Sequence, residues 1–469
     1  MRTLNRKILR NLWGMKAQVI AIVMVIASGV ATFIMSVSTM QSLKLTQATF
    51  YTECRFAEVF ASLKRAPESL RSRIQEISGI NHVETRVSAP LTIDIPDFSD
   101  PATGHIISIP DNGQPLLNSL YLRQGRLPEP YRENEIVIGE SFAKAHNFKP
   151  GATVGAVING RRKNLTIVGI ALSPEHIYQM PPGAVFPDFE RYGVMWMRRS
   201  PLGTAYDMDG AFNDVTLTLT PGAHINDVID RIDKLLKPYG GLGAYGRKDQ
   251  MSHRYLSEEF RQLEQMATIF PVIFLGVAAF LLNVVISRLI NIQREEVAAL
   301  KAFGYRNLDI GLHFVKLVLL IVLAGVLGGI AGGFWFGRWM STIYMEFYRF
   351  PFLKYQLQPQ VVVIATLVTA TAAIIGTLHS VRKAALLPPA QAMRPESPPA
   401  FRVSLPERLG LKHLLSQPTR MIIRNIERKP VKSLLSITGI AFACAIMMVG
   451  SFQKDAVDYI VDVQFGLSQ

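Results

Sequence analysis

Cysteine is nearly absent: Cys54 and Cys444 are the only two among 469 residues, and neither sits in a metal-binding or redox spacing. Cys54 falls in a mixed-polarity segment and Cys444 inside an apolar run, which excludes an internal disulfide. The nine histidines are scattered. No His-Glu-x-x-His or Gly-x-Ser-x-Gly pattern occurs, so neither zinc-dependent nor serine-dependent hydrolysis is supported. His379, at the end of an apolar run, reads as a structural or interfacial residue rather than a ligand. A Gly-x-x-x-x-Gly-Lys-Ser/Thr phosphate loop is also missing, so this chain does not bind ATP by that mechanism. The residues do not point to an enzyme.

Charge is missing in a patterned way. Five stretches of at least 21 residues contain no Asp, Glu, Lys or Arg. They lie between Lys16 and Lys44, Glu264 and Arg288, Lys316 and Arg338, Lys354 and Arg382, and Lys432 and Lys454. A hydrocarbon core of about 30 Å needs roughly 20 helical residues, so each run can cross it. Five uncharged runs of that length are too many to be buried helices of a soluble core. The expected fold is a multi-pass α-helical membrane protein with about five transmembrane helices and a large mixed α/β extracytoplasmic domain.

The net charge of +14 sits beside these runs. Residues 1–16 hold five basic residues and no acid, 288–316 five against three, and 382–432 eleven against three. Residues 41–264 are close to neutral, with 25 basic and 26 acidic side chains. Basic residues near span ends stay in the cytoplasm, and alternation of five spans puts all three basic regions on one side. The expected orientation is N-terminus inside and 41–264 outside. The charge follows membrane topology and does not suggest nucleic acid as a partner.

The expected organisation is a cytoplasmic amphipathic N-terminus at 1–16 and spans at 17–40, 265–287, 317–337, 358–381 and 433–453. Between them lie an extracytoplasmic domain with stalk at 41–264, a cytoplasmic loop with a short helix at 288–316 and a short external loop at 338–357. A basic cytoplasmic linker at 382–432 and an external tail at 454–469 complete it. The first span is too long for a signal-peptide core and reads as an uncleaved anchor. Its approach recurs: Ile8-Leu9-Arg10-Asn11-Leu12 returns as Ile422-Ile423-Arg424-Asn425-Ile426, an offset of 414. Ala27 and Ala31 match Ala441 and Ala445 at the same offset. Each copy reads as a basic amphipathic helix feeding a span, so a duplicated module is expected, the second represented by its first span.

Within 41–264 the pattern predicts a strand at Val59–Leu63 and a helix at Pro67–Ser78 with Leu70, Ile74 and Ile77 on one face. Strand character resumes at Val87–Ile95. A strand at Val215–Leu219 precedes a helix at Ile225–Leu236, with Val228, Ile232 and Leu235 aligned. Val154–Ile158, Asn159-Gly160 and Leu165–Ile170 form a β-hairpin with a favoured two-residue turn. Asn164-Leu165-Thr166 fits a glycosylation acceptor but belongs more simply to that hairpin. Residues 254–265 predict a helix running into the second span, its Leu256, Phe260 and Leu263 seam serving either a stalk or packing on its own domain. No acidic or aromatic cluster marks a ligand site in the domain.

The loop after the second span reads Arg294-Glu295-Glu296-Val297-Ala298-Ala299-Leu300-Lys301-Ala302-Phe303-Gly304-Tyr305. Glu295 and Glu296 suit the first turn of a helix, where the dipole favours acids, and Gly304 supplies a stop. Such a helix is either a lever for a soluble partner or an ordinary element resting on headgroups. In the third span, Gly325, Gly329, Gly333 and Gly337 recur every four residues, the spacing of a close helix–helix seam within or between modules. No span holds an internal charge that would mark an ion path, and Asn283 is the main polar exception.

The segment Arg294–Val297 with Leu300–Tyr305 resembles the Arg-Glu-x-x-x-Leu-Lys-Ala-hydrophobic-Gly pattern of FtsX-like permeases, the broad family that includes MacB and the lipoprotein-release transporters LolC/LolE. Leu387-Pro388-Pro389-Ala390-Gln391-Ala392-Met393-Arg394-Pro395, after the basic stop Arg382-Lys383, resembles that family's closing signature. Glu135-Ile136-Val137-Ile138-Gly139 with the hairpin resembles its extracytoplasmic domain. The resemblance implies a permease subunit of an ATP-binding-cassette transporter in the bacterial cytoplasmic membrane. Arg294, Glu295, Glu296, Val297, Leu300, Lys301, Phe303 and Gly304 would contact the ATPase, and Pro388, Pro389, Ala392, Arg394 and Pro395 would form the post-span turn. It implies an ATPase homodimer, a second permease module, a periplasmic adaptor and membrane lipids as partners, with ATP used by the partner and no cofactor on this chain. The work implied is export of, or mechanical action on, a lipid, lipoprotein or peptide. A regulator that controls an extracytoplasmic enzyme without transport is the alternative, and an ATPase-free membrane sensor a third.

Overall fold

The structure is a computed structural model that describes residues 2–95, 98, 102–181, 184, 187–353, 355–386, 388, 416–428 and 430–463. The chain divides into two compact units. One comprises 1–37, 265–337 and 357–469; the other comprises 38–264 and 338–356.

The first unit is helical. Five described helices are long and apolar enough to cross a membrane: Lys16–Glu53, Met251–Ile292, Asn307–Phe347, Pro359–Leu386 and Ile437–Val461. All five continue past the runs read as spans, three of them furthest. Lys16–Glu53 outlasts residue 40, Met251–Ile292 begins before 265, and Asn307–Phe347 carries through 338–347, where a loop is expected. Loss of apolarity ends a bilayer crossing, but a helix ends only where its backbone bonding or capping changes, so the two limits need not coincide.

Packing in this unit rests on missing side chains. A Cβ on Gly325 would lie 2.6 Å from Ile26 Cγ2, one on Gly329 2.5 Å from Val30 Cβ, and one on Gly333 2.8 Å from Ile34 Cβ. Ile26, Val30 and Ile34 are fully or almost fully buried. The glycine row therefore lets helix 307–347 touch the backbone of helix 16–53, with Gly325 and Gly329 facing the Val23 and Ala27 carbonyls. Gly337 is buried farther along the same helix. Gly376 meets Ala279 in the same way, 2.8 Å from its Cβ. In lipid, where apolar surface gains little by leaving the tails, such approach is the main source of association. Asn283 accepts hydrogen bonds from Ser287 at 3.1 Å and Ser380 at 2.6 Å, which ties Met251–Ile292 to Pro359–Leu386.

The internal repeat has a structural counterpart. In both copies a short helix precedes a long apolar one: Arg2–Gly14 before Lys16–Glu53, and Gln417–Arg428 before Pro430–Val461. Their surroundings differ: Ile8 is buried in the helical core, while Ile422 is exposed and none of the apolar window of the fifth helix is buried among the described residues.

The second unit is mixed α/β, with two sheets. A four-stranded antiparallel sheet runs in the order Ala244–Gly246, Val59–Pro67, Ala211–Leu219, Ile80–Arg86. Helices Leu70–Gln75 and Ile225–Leu236 cover it, burying Leu70, Ile74, Val228, Ile232 and Leu236 against Val59, Val83, Val215 and Leu217. Leu236, not Leu235, is the fully buried position, because the helix takes its last inward turn one residue later. Pro67 closes a strand opposite Ala211 and does not open the helix, which starts after Ser69.

The other sheet runs Tyr121–Gly125, Arg161–Leu172, Glu135–Gly139, Tyr192–Arg198, Ala102–Ile109, Ser88–Asp94, Thr153–Ile158, and Thr153–Ile158 also pairs with Arg161–Leu172. That last pairing closes six of the seven strands into a small barrel. The closing hairpin turns at Asn159 and Gly160, both with positive φ (47° and 77°), as a type I′ turn requires. All five residues of Glu135–Gly139 are buried in it. Leu256, Phe260 and Leu263 are buried against Leu43, Phe50, Leu172 and Ile177, so that seam packs on its own domain. Residues 338–356 belong here too: the Arg349 amide donates to the Ile177 carbonyl, and Phe350 is buried beside Phe50.

Gly329→Ala should lower the thermal stability of the detergent-solubilised protein by roughly 1–3 kcal/mol, the usual cost of overpacking. Gly328→Ala is the control, since its Cβ would meet Ala27 Cβ at an ordinary 3.6 Å. Equal melting of the two variants would mean that the seam does not hold the helices.

Candidate coupling surface and buried ion cluster

In the helical unit, Arg294–Ala302 forms a nine-residue helix with Glu295 and Glu296 in its first turn. It ends in a Schellman closure: Gly304 takes φ +90°, its amide donates to the Lys301 carbonyl, and the Tyr305 amide donates to Leu300. Glycine is needed there because an L side chain resists that φ.

One side of this helix is gripped. Val297 and Ala298 are buried, Leu300 and Lys301 half-buried. Glu296 forms an ion pair with Lys7 of the N-terminal helix. Just before the helix, Gln293 donates to Asn11 Oδ1 at 2.8 Å and accepts from Asn11 Nδ2 at 3.4 Å, a reciprocal amide pair. Lys301 Nζ donates to the Ala385 carbonyl at the end of Pro359–Leu386, 2.8 Å away, and burial pushes its ammonium pKa down. Beneath the helix lie Ile310 and Phe314 of Asn307–Phe347. The other side is bare. Glu295 is exposed, Phe303 is 84% and Leu308 72% exposed, and Gly304 lies between them. The loop helix is thus fastened to the N-terminal helix and to two spanning helices while it presents an apolar tip.

Pro388 is exposed, and Pro389, Ala392, Arg394 and Pro395 lie outside the described residues. Among the described residues, no three His, Cys, Asp or Glu side chains converge to hold a metal ion.

The α/β unit contains a cluster that the sequence pattern does not reveal. Arg86, at the end of a strand of the four-stranded sheet, donates from Nη1 and Nη2 to both Glu175 oxygens at 2.7 and 2.9 Å. Its Nε donates to Asp214 Oδ1 at 2.8 Å. Asn118 Nδ2 adds a third donor to Glu175, and Gln250 and Ser252 donate to the Glu175 carbonyl. Arg86 and Asp214 come from one sheet and Glu175 follows the last residues of a barrel strand, so the cluster ties the two sheets together. His105, bonded to Ser88 Oγ at 2.6 Å, and His176, whose Nε2 is enclosed without a partner, lie close enough to feel these charges. Arg86, Glu175 and Asp214 are 128 residues apart at the extremes, and no local pattern joins them. Arg86 follows Glu84-Thr85 and precedes Val87-Ser88, so its polar neighbourhood gives no local cue either.

Burial would raise the Glu175 carboxyl, but the Arg86 guanidinium outweighs it and holds the pKa at about 2. Burial pushes His176 down to about 4, only partly offset by Glu175. Beside the cluster opens a cleft of about 540 Å³ lined by Glu68, Arg71, Glu84, Asp111 and Arg199. Several of these are already engaged, Glu68 by Thr85 and Arg199, Asp111 by Ser200.

Two outcomes follow for this unit. Arg86→Met leaves two buried carboxylates without their cation and should cost roughly 3–5 kcal/mol, read as faster deuterium exchange in 80–94 and 211–219. Stability should also fall with acid in two steps. Unfolded His176 binds its proton near 6.5 and folded His176 near 4, so the first step spans that window. Glu175 releases its contribution as pH falls from 4.5 towards 2. His176→Phe should flatten the upper step alone; a variant with an unchanged pH profile would assign that step elsewhere.

Comparison with known proteins agrees with this architecture. Residues 19–235 match the MacB-like periplasmic core domain and residues 268–389 the FtsX-like permease C-terminal domain. No curated protein matches over the sequence. Among solved structures, the periplasmic region of MacB from Actinobacillus actinomycetemcomitans is 13% identical, covering 43% of this chain and 92% of that one with a TM-score of 0.27. The extracellular domain of the noncanonic ABC-type transporter YknZ from Gram-positive bacteria is 11% identical, covering 40% and 98% with a TM-score of 0.28. With a periplasmic core of the first kind followed by a permease domain of the second, on a chain of membrane-crossing helices, this protein belongs to the FtsX/MacB family of ABC-transporter permeases.

Proposed function

We propose that the chain is the permease subunit of an ATP-binding-cassette transporter in the bacterial cytoplasmic membrane, with its N-terminus inside and the α/β unit outside. A separate ATPase homodimer hydrolyses ATP. The permease converts that cycle into export of, or mechanical work on, a lipid, lipoprotein or peptide at the extracytoplasmic side, together with a second permease module and a periplasmic adaptor.

One observation carries this reading. The loop helix Arg294–Ala302 is held at Lys7, Asn11 and Ala385 and exposes Phe303 at its tip. A partner seated on that tip displaces the N-terminal helix and two spanning helices together, because charge-assisted and amide contacts resist local yielding better than apolar contact alone. The basic residues of 1–16, 288–316 and 382–432 support the inside orientation. A transporting role and control of an external enzyme use the same handle; the identity of the external partner separates them.

Phe303→Asp alters an exposed side chain and leaves the gripped face intact. It is expected to weaken copurification of the P-loop ATPase about thirtyfold, the equivalent of roughly 2 kcal/mol for an aromatic anchor, with the permease's own melting unchanged. Normal ATPase capture by this variant would take the loop tip out of the interface.

A further inference from the structure

The N-terminal helix has two faces, and only one is used inside the chain. On a helix advancing about 100° per residue, Arg6, Leu9, Arg10 and Trp13 share one arc, while Ile8 and Asn11 lie opposite and Lys7 lies off its edge. The contacts follow that division. Lys7 pairs with Glu296, Asn11 pairs with Gln293, and Ile8 is buried in the helical core. Arg6, Leu9, Arg10 and Trp13 are exposed, Leu9 by 65% and Trp13 by 77%, and Lys16 lies 5.8 Å from the Trp13 ring.

The composition of that exposed arc identifies its occupant. A protein-binding patch is depleted of charge at its centre, whereas here basic side chains are interleaved with the apolar anchors. No acidic residue occurs in residues 1–16. Trp and Leu flanked by Arg and Lys suit the boundary between headgroups and acyl chains: the ring and aliphatic groups enter the apolar side and the cations meet phosphate. The helix also leads, after Met15 alone, into the membrane-crossing helix Lys16–Glu53, so it starts at the bilayer surface.

We propose that Arg6, Leu9, Arg10, Trp13 and Lys16 form a binding surface for anionic phospholipid headgroups, and that the Lys7–Glu296 and Asn11–Gln293 contacts carry its occupancy to the loop helix. Lipid charge then sets how firmly the N-terminal helix is seated, and the seated helix braces Arg294–Ala302 from the side opposite Ala385. The lipid surface rests on the membrane setting of the chain and not on which partner grips Phe303, so either can fail without the other.

The test uses the full chain in nanodiscs of phosphatidylcholine alone or an equal mixture with phosphatidylglycerol. Trp13 emission, isolated by subtracting the Trp13→Phe variant, is quenched by brominated lipid of either kind. Brominated phosphatidylglycerol should quench preferentially, and Arg6→Gln, Arg10→Gln and Lys16→Gln should each reduce that preference about fivefold. Deuterium exchange in 294–304 should be slower in the anionic discs. Lys7→Ala combined with Asn11→Ala should abolish that lipid dependence while Trp13 quenching persists. Equal quenching by both lipids, or none by either, overturns the headgroup surface. Lipid-dependent exchange that survives the double substitution overturns the transmission. Shielding of Trp13 only when the ATPase is added would reassign the face to a protein partner.

Discussion

Backbone amides and carbonyls that enter hydrocarbon have no water to bond, so a chain crossing it must satisfy them within each segment. For the five uncharged runs this leaves the helix, and it also removes the force that normally drives helices together, since lipid tails are as apolar as leucine. The helical unit meets both conditions through absence. Gly325, Gly329 and Gly333 remove side chains where Ile26, Val30 and Ile34 need room, and the two backbones approach until carbonyls line the contact. Asn283 adds a directional bond elsewhere in the bundle, to Ser380. Dispersion and a few polar contacts replace the hydrophobic effect.

At one end of this bundle the physics changes. The loop helix is held by an ion pair, a reciprocal amide pair and a lysine–carbonyl bond, all made by side chains that can leave the apolar core. These contacts are directional, and together they make a short helix a stiff part of a larger body. The α/β unit uses the same device more deeply. Arg86 is almost fully buried; it pairs with Asp214 of its own sheet and reaches Glu175, just past a barrel strand, with Asn118 completing the coordination of Glu175. Buried charge contributes little net stability, but it penalises any arrangement in which the partners separate, so the relation between the two sheets is specified.

Much of this was legible in the residues. Long uncharged runs, the Asn159-Gly160 turn and the four-residue glycine spacing each have a simple physical reading, and the described helices, hairpin and seam contacts follow it. Boundaries were less legible. Helix 307–347 continues past the apolar run, where Ser341 is buried and Tyr344 bonds Glu259 within the same α/β unit, and neither signal is hydrophobic. Pro67 was compatible with a helix start and with a strand end, and pairing with Ala211 chose the strand.

The amino-acid sequence alone determined that this is a multi-span membrane protein, which segments are long and apolar enough to cross, and that a short helix stands between two of them, because those properties depend on local composition and periodicity. Only the tertiary structure decided that Lys7 and Asn11 hold that helix, that Glu175 reaches Arg86, and that six strands close into a barrel. Each of these joins residues far apart in the chain, and contact at such separation depends on the whole fold and leaves no periodic trace in the sequence.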